Sequence, residues 1–281
     1  MKISIDEISY QLGSKKEKIS DLISDNPDWD SEKILGSTGV EERYVSSEEE
    51  SAMLLGILAA KKIGKKSLEN VDLCIFASQS PEYALPTTAC IIQERLKLDK
   101  NCAAFDINLG CSAFPYALSV VSSMLENHIC SKALIICSDT YTKYIKKDNR
   151  TCRPLFSDGA AAVIVTRSSD SKIGPFLLGT DGSGAENLIV RNSASNIEKD
   201  VEKTLYMNGS EVLLFTMSNV PKGIETLLEN AKLNIDDIDM FFLHQASKVV
   251  MENIKRKLKI SDEKFPTNYQ KYGNTVSATI P

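Results

Sequence analysis

Residues 103–118 read AAFDINLGCSAFPYAL, which puts an apolar strand, a glycine turn and an apolar helix in direct succession. We predict a strand over 103–107 and a helix over 112–126, because a continuous apolar run gives way to helical spacing. Cys111 lies at the turn between them, where unpaired N–H groups and the positive end of the helix dipole favour a thiolate. Cys111 is therefore a candidate nucleophile, although a cysteine at such a turn is often an ordinary core residue.

The sequence on either side of this stretch alternates between the two kinds of regular structure. Apolar residues at helical spacing indicate helices, and short continuous apolar runs indicate buried strands. The further predicted elements are helices over 50–62 and 88–96 and strands over 73–77, 133–137 and 160–165. Such alternation is typical of an α/β layered fold.

The second half of the chain repeats this order. It predicts helices over 213–228 and 249–258, strands over 240–243 and 265–268, and a turn at Gly273-Asn274. The segment AAKKIGKKSLENVDLCIFASQ at 59–79 matches the layout of LLENAKLNIDDIDMFFLHQ at 227–245. We therefore expect a duplicated α/β unit, although two similar βα units also arise by chance. After Asn274 only a few residues remain, so we expect the second copy to lack a helix and two strands.

Net charge, the length of apolar runs and cysteine spacing exclude several classes of protein. The formal net charge is −5 and no basic face is evident, so we do not expect a nucleic-acid partner. No apolar run approaches bilayer length and the N-terminus is not a signal peptide, so we expect a cytoplasmic protein without membrane contact. The seven cysteines form no CxxC pair, which indicates free thiols and neither a metal site nor another cofactor.

Two further residues are candidates for chemistry. His244 follows a predicted strand in DMFFLHQASKVV, and the carboxyl ends of strands are where α/β proteins build their sites. Asn274 lies in YGNTVSATIP, after the glycine turn. Each also has an ordinary structural interpretation, as a core histidine and as a helix N-cap.

Five short motifs, in order along nearly the whole chain, resemble the ketoacyl-ACP synthase III family of the thiolase-like superfamily. DINLGCSAFPYAL is similar to the family's active-cysteine stretch, LHQAS to its HQAN stretch and YGNTVSATIP to its GNTSAASVP stretch. FSDGAAAVIV and TGVEERY are similar to two further family motifs. The five motifs are TGVEERY at 38–44, DINLGCSAFPYAL at 106–118, FSDGAAAVIV at 156–165, LHQAS at 243–247 and YGNTVSATIP at 272–281.

This resemblance implies a thiolase-like fold of two duplicated βαβαβ-type halves in an α-β-α-β-α arrangement. The N-terminal half, residues 1–167, would carry Cys111, and the incomplete C-terminal half, residues 168–281, would carry His244 and Asn274. It further implies a ping-pong Claisen condensation. Cys111 would accept an acyl group from acyl-CoA, and malonyl on acyl carrier protein would then lose CO₂ to an enolate held by His244 and Asn274. A homodimer is implied as well.

The resemblance also suggests substrate contacts, with some departures. Arg150 matches a family arginine near the CoA mouth, and Leu85 stands where the family has a Phe that reaches across the dimer. Ser247 stands where the family has an Asn, and Val249 stands where it has an arginine that helps to dock CoA or carrier protein. Lys248, Lys255 and Arg256 are candidates to compensate for that arginine, although a solvated helix face is the more ordinary interpretation of these cations. Trp29 lies too early to match the family's CoA-gripping Trp.

Other functions stay open on the sequence alone. A Gly-rich loop that supplies an oxyanion donor in the family is absent, and losing one such donor costs about 2.7–4 kcal/mol, so a poorly active or inactive chain is expected. A non-catalytic partner subunit of the same fold is one alternative. The others are an acyltransferase without decarboxylation and a papain-like cysteine hydrolase, although a papain-like CGSCW context is missing.

Overall fold

The computed structural model describes residues 2–197, 199 and 201–281. The strands are β1 Ile3–Leu12, β2 Lys15–Lys18, β3 Glu42–Val45, β4 Leu73–Ala77, β5 Ala103–Ile107, β6 Lys132–Asp139, β7 Gly159–Arg167, β8 Leu188–Val190 and β9 Leu205–Met207. The helices are α1 Ile19–Asp25, α2 Ser31–Thr38, α3 Ala52–Ile63, α4 Lys65–Leu68, α5 Thr88–Leu96, α6 Ala113–Glu126, α7 Gly209–Ala231, α8 Lys248–Leu258 and α9 Tyr269–Tyr272. Short 3₁₀ turns follow β6, at Tyr141–Tyr144, and Asn274, at Val276–Ala278.

A five-stranded mixed sheet, in the order β1-β7-β6-β4-β5, forms the centre of the molecule. β4 pairs in parallel with β5 and β6, so that Ile75 aligns with Phe105 on one side and Ile135 on the other. All five residues of β4 are buried, as expected for a strand covered on both faces. The predicted strands at 73–77, 103–107, 133–137 and 160–165 are all confirmed.

Helices cover both faces of this sheet. α3 and α5 pack on one face, against β-strand residues that include Phe76 and Ile136. α6 packs on the opposite face, where Phe114 and Val121 contact a core that includes Ile75. This layering confirms the predicted α/β class. It also makes α6 a rigid support for the residues that precede it.

Polar side chains at the ends of the elements fix their positions. The Asp72 carboxylate accepts hydrogen bonds from the backbone N–H groups of Ser131 and Lys132, at 2.8–3.0 Å, just where β6 begins. The Asp106 carboxylate accepts from the N–H groups of Thr88 and Ala89, both at 2.7 Å, and so caps α5. Carboxylates at helix N-termini satisfy donors that lack a helical partner.

The second half departs from the prediction in one respect. The helices predicted at 213–228 and 249–258 are confirmed within α7 and α8, but the strands predicted at 240–243 and 265–268 do not form. One backbone bond, from Phe241 N–H to Lys264 O at 2.8 Å, links the first segment to the residue just before the second. A strand requires a ladder of such bonds, and a single one does not make a sheet. Phe241 and Phe265 still pack with α7 and α8 in a separate apolar cluster.

Sequence reasoning also missed β1, the edge strand that pairs with β7, because its charged residues resemble a polar terminus. The two-part division at residues 167 and 168 stays a prediction, although β7 ends at Arg167. Among the described residues, none of the helices is both long and apolar enough to cross a bilayer.

Candidate active site

Cys111 lies in the turn between β5 and α6, as the sequence predicted. The helix begins at Ala113 with Ser112 as its N-cap, and Cys111 is half-buried just ahead of it. Its side chain packs against an apolar cluster that includes Tyr141, Phe156 and Val276. The sulfur is thus held beside the first turn of a buried helix.

A side chain at Gly110, the residue before the cysteine, would crowd three neighbouring side chains. A Cβ at Gly110 would lie 2.6 Å from the Gln79 Oε1 atom, 3.2 Å from the Tyr141 hydroxyl and 3.3 Å from Val276 Cγ1. The Tyr141 hydroxyl donates to Gln79 Oε1 at 2.6 Å, so that amide is not free to move aside. The close approach of these side chains fixes the path of the backbone that leads to Cys111.

The expected thiolate is not found in the free protein. Burial, followed by the nearby Asp139 carboxylate, raises the pKa of the Cys111 thiol to about 12. A backbone hydrogen bond at Cys111 itself acts in the opposite direction but is the smaller effect. Desolvation therefore outweighs the backbone hydrogen bond, and the resting group is a neutral thiol.

His244 is half-buried at the end of the extended segment that precedes α8. Burial lowers the pKa of its imidazole to about 4, although a hydrogen bond with the Val276 backbone partly opposes this. The ring is therefore neutral at pH 7. Its Nδ1 atom lies 2.5 Å from the Thr279 Oγ1 atom.

Asn274 is buried beside the main sheet. Its backbone N–H donates to the Leu155 carbonyl at 3.0 Å, and its carbonyl accepts from the Ser157 N–H at 2.9 Å. In its side chain, Nδ2 donates to the Ala246 carbonyl at 3.3 Å. The amide thus reaches the chain two residues after His244. The N-cap interpretation of Asn274 is not needed, because the following turn is a short 3₁₀ segment.

Val276 connects all three of the predicted residues. Its N–H donates to the Asn274 Oδ1 atom at 2.9 Å, and its backbone hydrogen-bonds the His244 ring. Its side chain belongs to the apolar cluster against which Cys111 packs. Its φ is +55°, which is rare for a β-branched residue and costs about 1–3 kcal/mol. Such strain persists only where the surroundings hold it, and functional sites are where it concentrates.

Asp139 hydrogen-bonds the same turn, through Ser277, and was not predicted from the sequence. This fully buried carboxylate, at the end of β6, accepts from the Ser277 hydroxyl at 2.5 Å and the Ser277 N–H at 3.3 Å. It also accepts from the Gln79 N–H at 2.8 Å and from the hydroxyls of Ser78 and Ser80 at 3.1 and 3.0 Å. The only sequence signal was an acid directly after an apolar strand, in ALIICSD.

Burial raises the pKa of Asp139 to about 6, although the hydrogen bonds from Ser277, Gln79 and Ser80 favour its charged form. The carboxylate therefore adds negative charge near Cys111. It also joins the end of β4 to the 3₁₀ turn that carries Val276.

The four residues suggested as substrate contacts lie away from this network. Arg150 is exposed in the turn before the strand-like segment at 155–157, and Leu85 is 82% exposed. Ser247 caps α8 by accepting from the Val250 N–H, and Lys248 lies 4.0 Å from the Glu252 carboxylate. In the described residues, no hydrogen bond joins any of the four to Cys111, His244 or Asn274.

The cations suggested as compensation on α8 have local partners. Lys255 pairs with the Asp262 carboxylate, and Arg256 donates to the Asn253 side chain. Trp29 is buried with Leu22 and Ile34, which makes it a core residue. Elsewhere in the described chain, no three His, Cys, Asp or Glu side chains cluster as metal ligands would.

Comparison with known families identifies two matching regions. Residues 105–182 match the family model described as 3-oxoacyl-[acyl-carrier-protein] synthase III, and residues 228–281 match the model of its C-terminal part. The first region contains Cys111, and the second contains His244 and Asn274.

Curated proteins of this kind align over most of the chain. A β-ketoacyl-[acyl-carrier-protein] synthase III from Clostridium tetani is 36% identical over 279 residues, which cover 94% of this chain and 82% of that protein. A protein of the same name from Streptococcus agalactiae is 34% identical, with 95% of this chain and 83% of that protein covered.

Solved structures agree in fold. A crystal structure of 3-oxoacyl-(acyl-carrier-protein) synthase III superposes with a TM-score of 0.95 at 35% identity, covering 100% of this chain and 89% of the other. The synthase III from Aquifex aeolicus gives a TM-score of 0.89 at 30% identity, with 99% and 88% covered. The predicted thiolase-like fold is confirmed.

Proposed function

Because this chain belongs to the 3-oxoacyl-[acyl-carrier-protein] synthase III family of condensing acyltransferases, we propose that Cys111 is its acyl acceptor and that His244 and Asn274 stabilise its enolate. The observation that supports this best is the turn at Val276. One buried residue in a strained conformation hydrogen-bonds Asn274 and the His244 ring and belongs to the apolar cluster against which Cys111 packs. Strain of that kind supports a site built for chemistry.

In the first half-reaction Cys111 attacks the carbonyl of an acyl-CoA thioester. The new bond joins the Cys111 sulfur to the acyl carbon, and the bond from that carbon to the CoA sulfur breaks. The thiol proton ends on the departing sulfur, so acyl-enzyme and free CoA are formed. Because the pKa of the thiol is raised to about 12, this proton transfer has to accompany the attack.

In the second half-reaction a malonyl thioester on acyl carrier protein loses CO₂. The electron pair of the broken C–C bond passes to the α-carbon, and negative charge develops on the thioester oxygen. The Asn274 amide carries two hydrogens and uses one for the Ala246 carbonyl, which leaves one to donate to this oxygen. A ring N–H of the neutral His244 is the second donor.

The enolate carbon then attacks the acyl-Cys111 carbonyl. A C–C bond forms, the bond from the acyl carbon to sulfur breaks, and the released Cys111 thiolate takes up a proton from solvent. The product is a β-ketoacyl chain on the carrier protein, as in fatty acid biosynthesis. None of these steps requires a metal or a redox cofactor.

We further propose the substrate contacts that the family resemblance suggests. Arg150 is exposed and offers a guanidinium to the phosphates of CoA. Ser247 and Lys248 start α8 and would meet the carrier protein. Leu85, with 82% of its surface exposed, would line the acyl pocket of a partner subunit in a homodimer.

Product analysis tests this function. The protein is incubated with an acyl-CoA and malonyl carrier protein, and CO₂ and the carrier-bound product are measured together. We expect one CO₂ for each β-ketoacyl product. Transfer of the acyl group to carrier protein without CO₂ would instead identify an acyltransferase, and neither product would indicate a non-catalytic subunit.

A further inference from the structure

Thr279 contacts the histidine of the site through its hydroxyl group. This half-buried residue directly follows the 3₁₀ turn at Val276–Ala278. Its Oγ1 atom lies 2.5 Å from Nδ1 of His244 and 3.3 Å from the Val276 carbonyl oxygen. The hydroxyl has one hydrogen, so it donates to only one of these two acceptors.

The distances favour donation to the ring. A hydroxyl donor normally lies 2.5–3.0 Å from its acceptor, and the 3.3 Å contact with Val276 exceeds that range. If instead Nδ1–H donated to Thr279, the hydroxyl hydrogen would have only that long contact. We propose that Thr279 is a positioning residue, whose hydroxyl donates to Nδ1 of His244 and so keeps the ring hydrogen on Nε2.

This assignment has a chemical consequence, which rests on the proposed function. A neutral imidazole carries one hydrogen, and a developing enolate oxygen needs a donor. With Nδ1 occupied as an acceptor, Nε2–H is the hydrogen that the ring has left to offer. The opposite tautomer would present a bare lone pair at Nε2 and repel the enolate.

The Val276 carbonyl makes the choice of tautomer a real competition. The Val276 backbone raises the pKa of His244 and so favours a ring that carries a hydrogen towards it, because a carbonyl accepts but never donates. Without the Thr279 hydroxyl, the Val276 carbonyl, which lies 3.3 Å from Thr279 Oγ1, is the polar partner that the ring retains. Removal of the hydroxyl therefore shifts the hydrogen to Nδ1, where it donates to Val276.

Two variants isolate the hydroxyl. Thr279→Val keeps the volume and removes the donor, whereas Thr279→Ser keeps the donor. If the valine variant does not fold, Thr279→Ala is compared with Thr279→Ser, since both lack the methyl group and differ only in the hydroxyl.

The tautomer is read directly by ¹⁵N NMR of protein labelled at histidine. The chain has only two histidines, so His128→Asn identifies the ring signals of His244. We expect wild type and Thr279→Ser to show a bare Nδ1 and a protonated Nε2, and Thr279→Val to show the reverse. A wild-type ring protonated at Nδ1, or a Thr279→Val ring with an unchanged tautomer, would overturn the proposal.

Half-reaction rates supply the second readout. Thr279→Val should acylate Cys111 close to the wild-type rate and lose about 10²-fold or more in malonyl decarboxylation, as after removal of one oxyanion donor. Equal loss in both half-reactions would indicate a merely structural role and sink the proposal. If wild type decarboxylates no malonyl thioester, the proposed function fails, while the NMR result still decides the role of Thr279.

Discussion

The Oδ1 atom of Asn274 accepts a hydrogen bond from the Val276 N–H at 2.9 Å, and this bond helps to hold a valine at a φ of +55°. Asn274 therefore has two tasks in one amide. Its oxygen keeps the turn in a conformation that valine avoids, and its nitrogen is left facing the chain after His244. The strain at Val276 and the placement of the amide depend on each other.

Asn274→Ala should lower both the stability of the protein and its rate of malonyl decarboxylation, and the two effects can be measured separately. The buried Val276 N–H loses its acceptor, so we expect a stability loss of about 1–3 kcal/mol in urea unfolding. Loss of the enolate donor should lower malonyl decarboxylation about 10²–10³-fold while Cys111 is still acylated. Asn268→Ala is the matched control, because this exposed N-cap makes no side-chain capping bond. Normal decarboxylation by Asn274→Ala would contradict the assignment.

Gly110→Ala should destabilise the protein. The added methyl would lie 2.6 Å from Gln79 Oε1 and displace it from the Tyr141 hydroxyl. We expect a loss of about 1–3 kcal/mol in the free energy of unfolding, together with slower acylation of Cys111. Gly36→Ala in the exposed face of α2 meets no atom within 4 Å. This control should gain about 0.5–1 kcal/mol, and similar effects at both glycines would refute the steric argument.

Cys111 should react slowly with iodoacetamide at neutral pH. Its pKa is raised to about 12, so the thiolate fraction and the alkylation rate should rise about tenfold per pH unit up to that value. Peptide mass spectrometry separates Cys111 from the other cysteines. Asp139→Asn removes the charge that helps to raise this pKa and should move the profile to lower pH. A rate that levels off below pH 9 in wild type would be inconsistent with a buried neutral thiol.

Asp139 should also make stability depend on pH. Its folded pKa of about 6 lies above the ordinary value of 3.8, so the folded state holds the proton more tightly than the unfolded state. Stability from this group is therefore present below pH 4 and is lost as pH rises through 6. The shift of about two pKa units corresponds to about 3 kcal/mol.

The contribution of Asp139 to the pH dependence of stability is isolated by comparing wild type with Asp139→Asn, whose side chain cannot titrate. Urea unfolding of both proteins at several values between pH 4 and pH 7 should show wild type losing stability relative to the variant. Parallel curves for the two proteins would show that Asp139 is not protonated in this range.

The sequence predicted the structure correctly where the residues that determine an element lie close together along the chain. The strand over 103–107, the turn at Cys111 and the helix that follows are encoded within sixteen residues, so they were predictable. The motifs also pointed to His244 and Asn274. The strands over 240–243 and 265–268 were predicted from apolar runs, but a run does not supply the ladder partner that a strand needs.

Long-range contacts account for what was missed. Nothing local signals that Ser277 donates to a carboxylate at position 139, because that bond spans 138 residues. Nor does valine signal a positive φ, which it adopts at 276 only because Asn274 holds its N–H. The raised pKa of Cys111 was missed for the same reason, since burial outweighs the local backbone hydrogen bond.

The proposed function depends above all on transfer of the acyl group to Cys111. Intact-mass spectrometry after incubation with a panel of acyl-CoAs, beside Cys111→Ala, tests it most directly. We expect a gain equal to one acyl group in wild type and none in the variant, with the mass naming the preferred donor. No gain with any donor, or an equal gain in Cys111→Ala, would contradict the account.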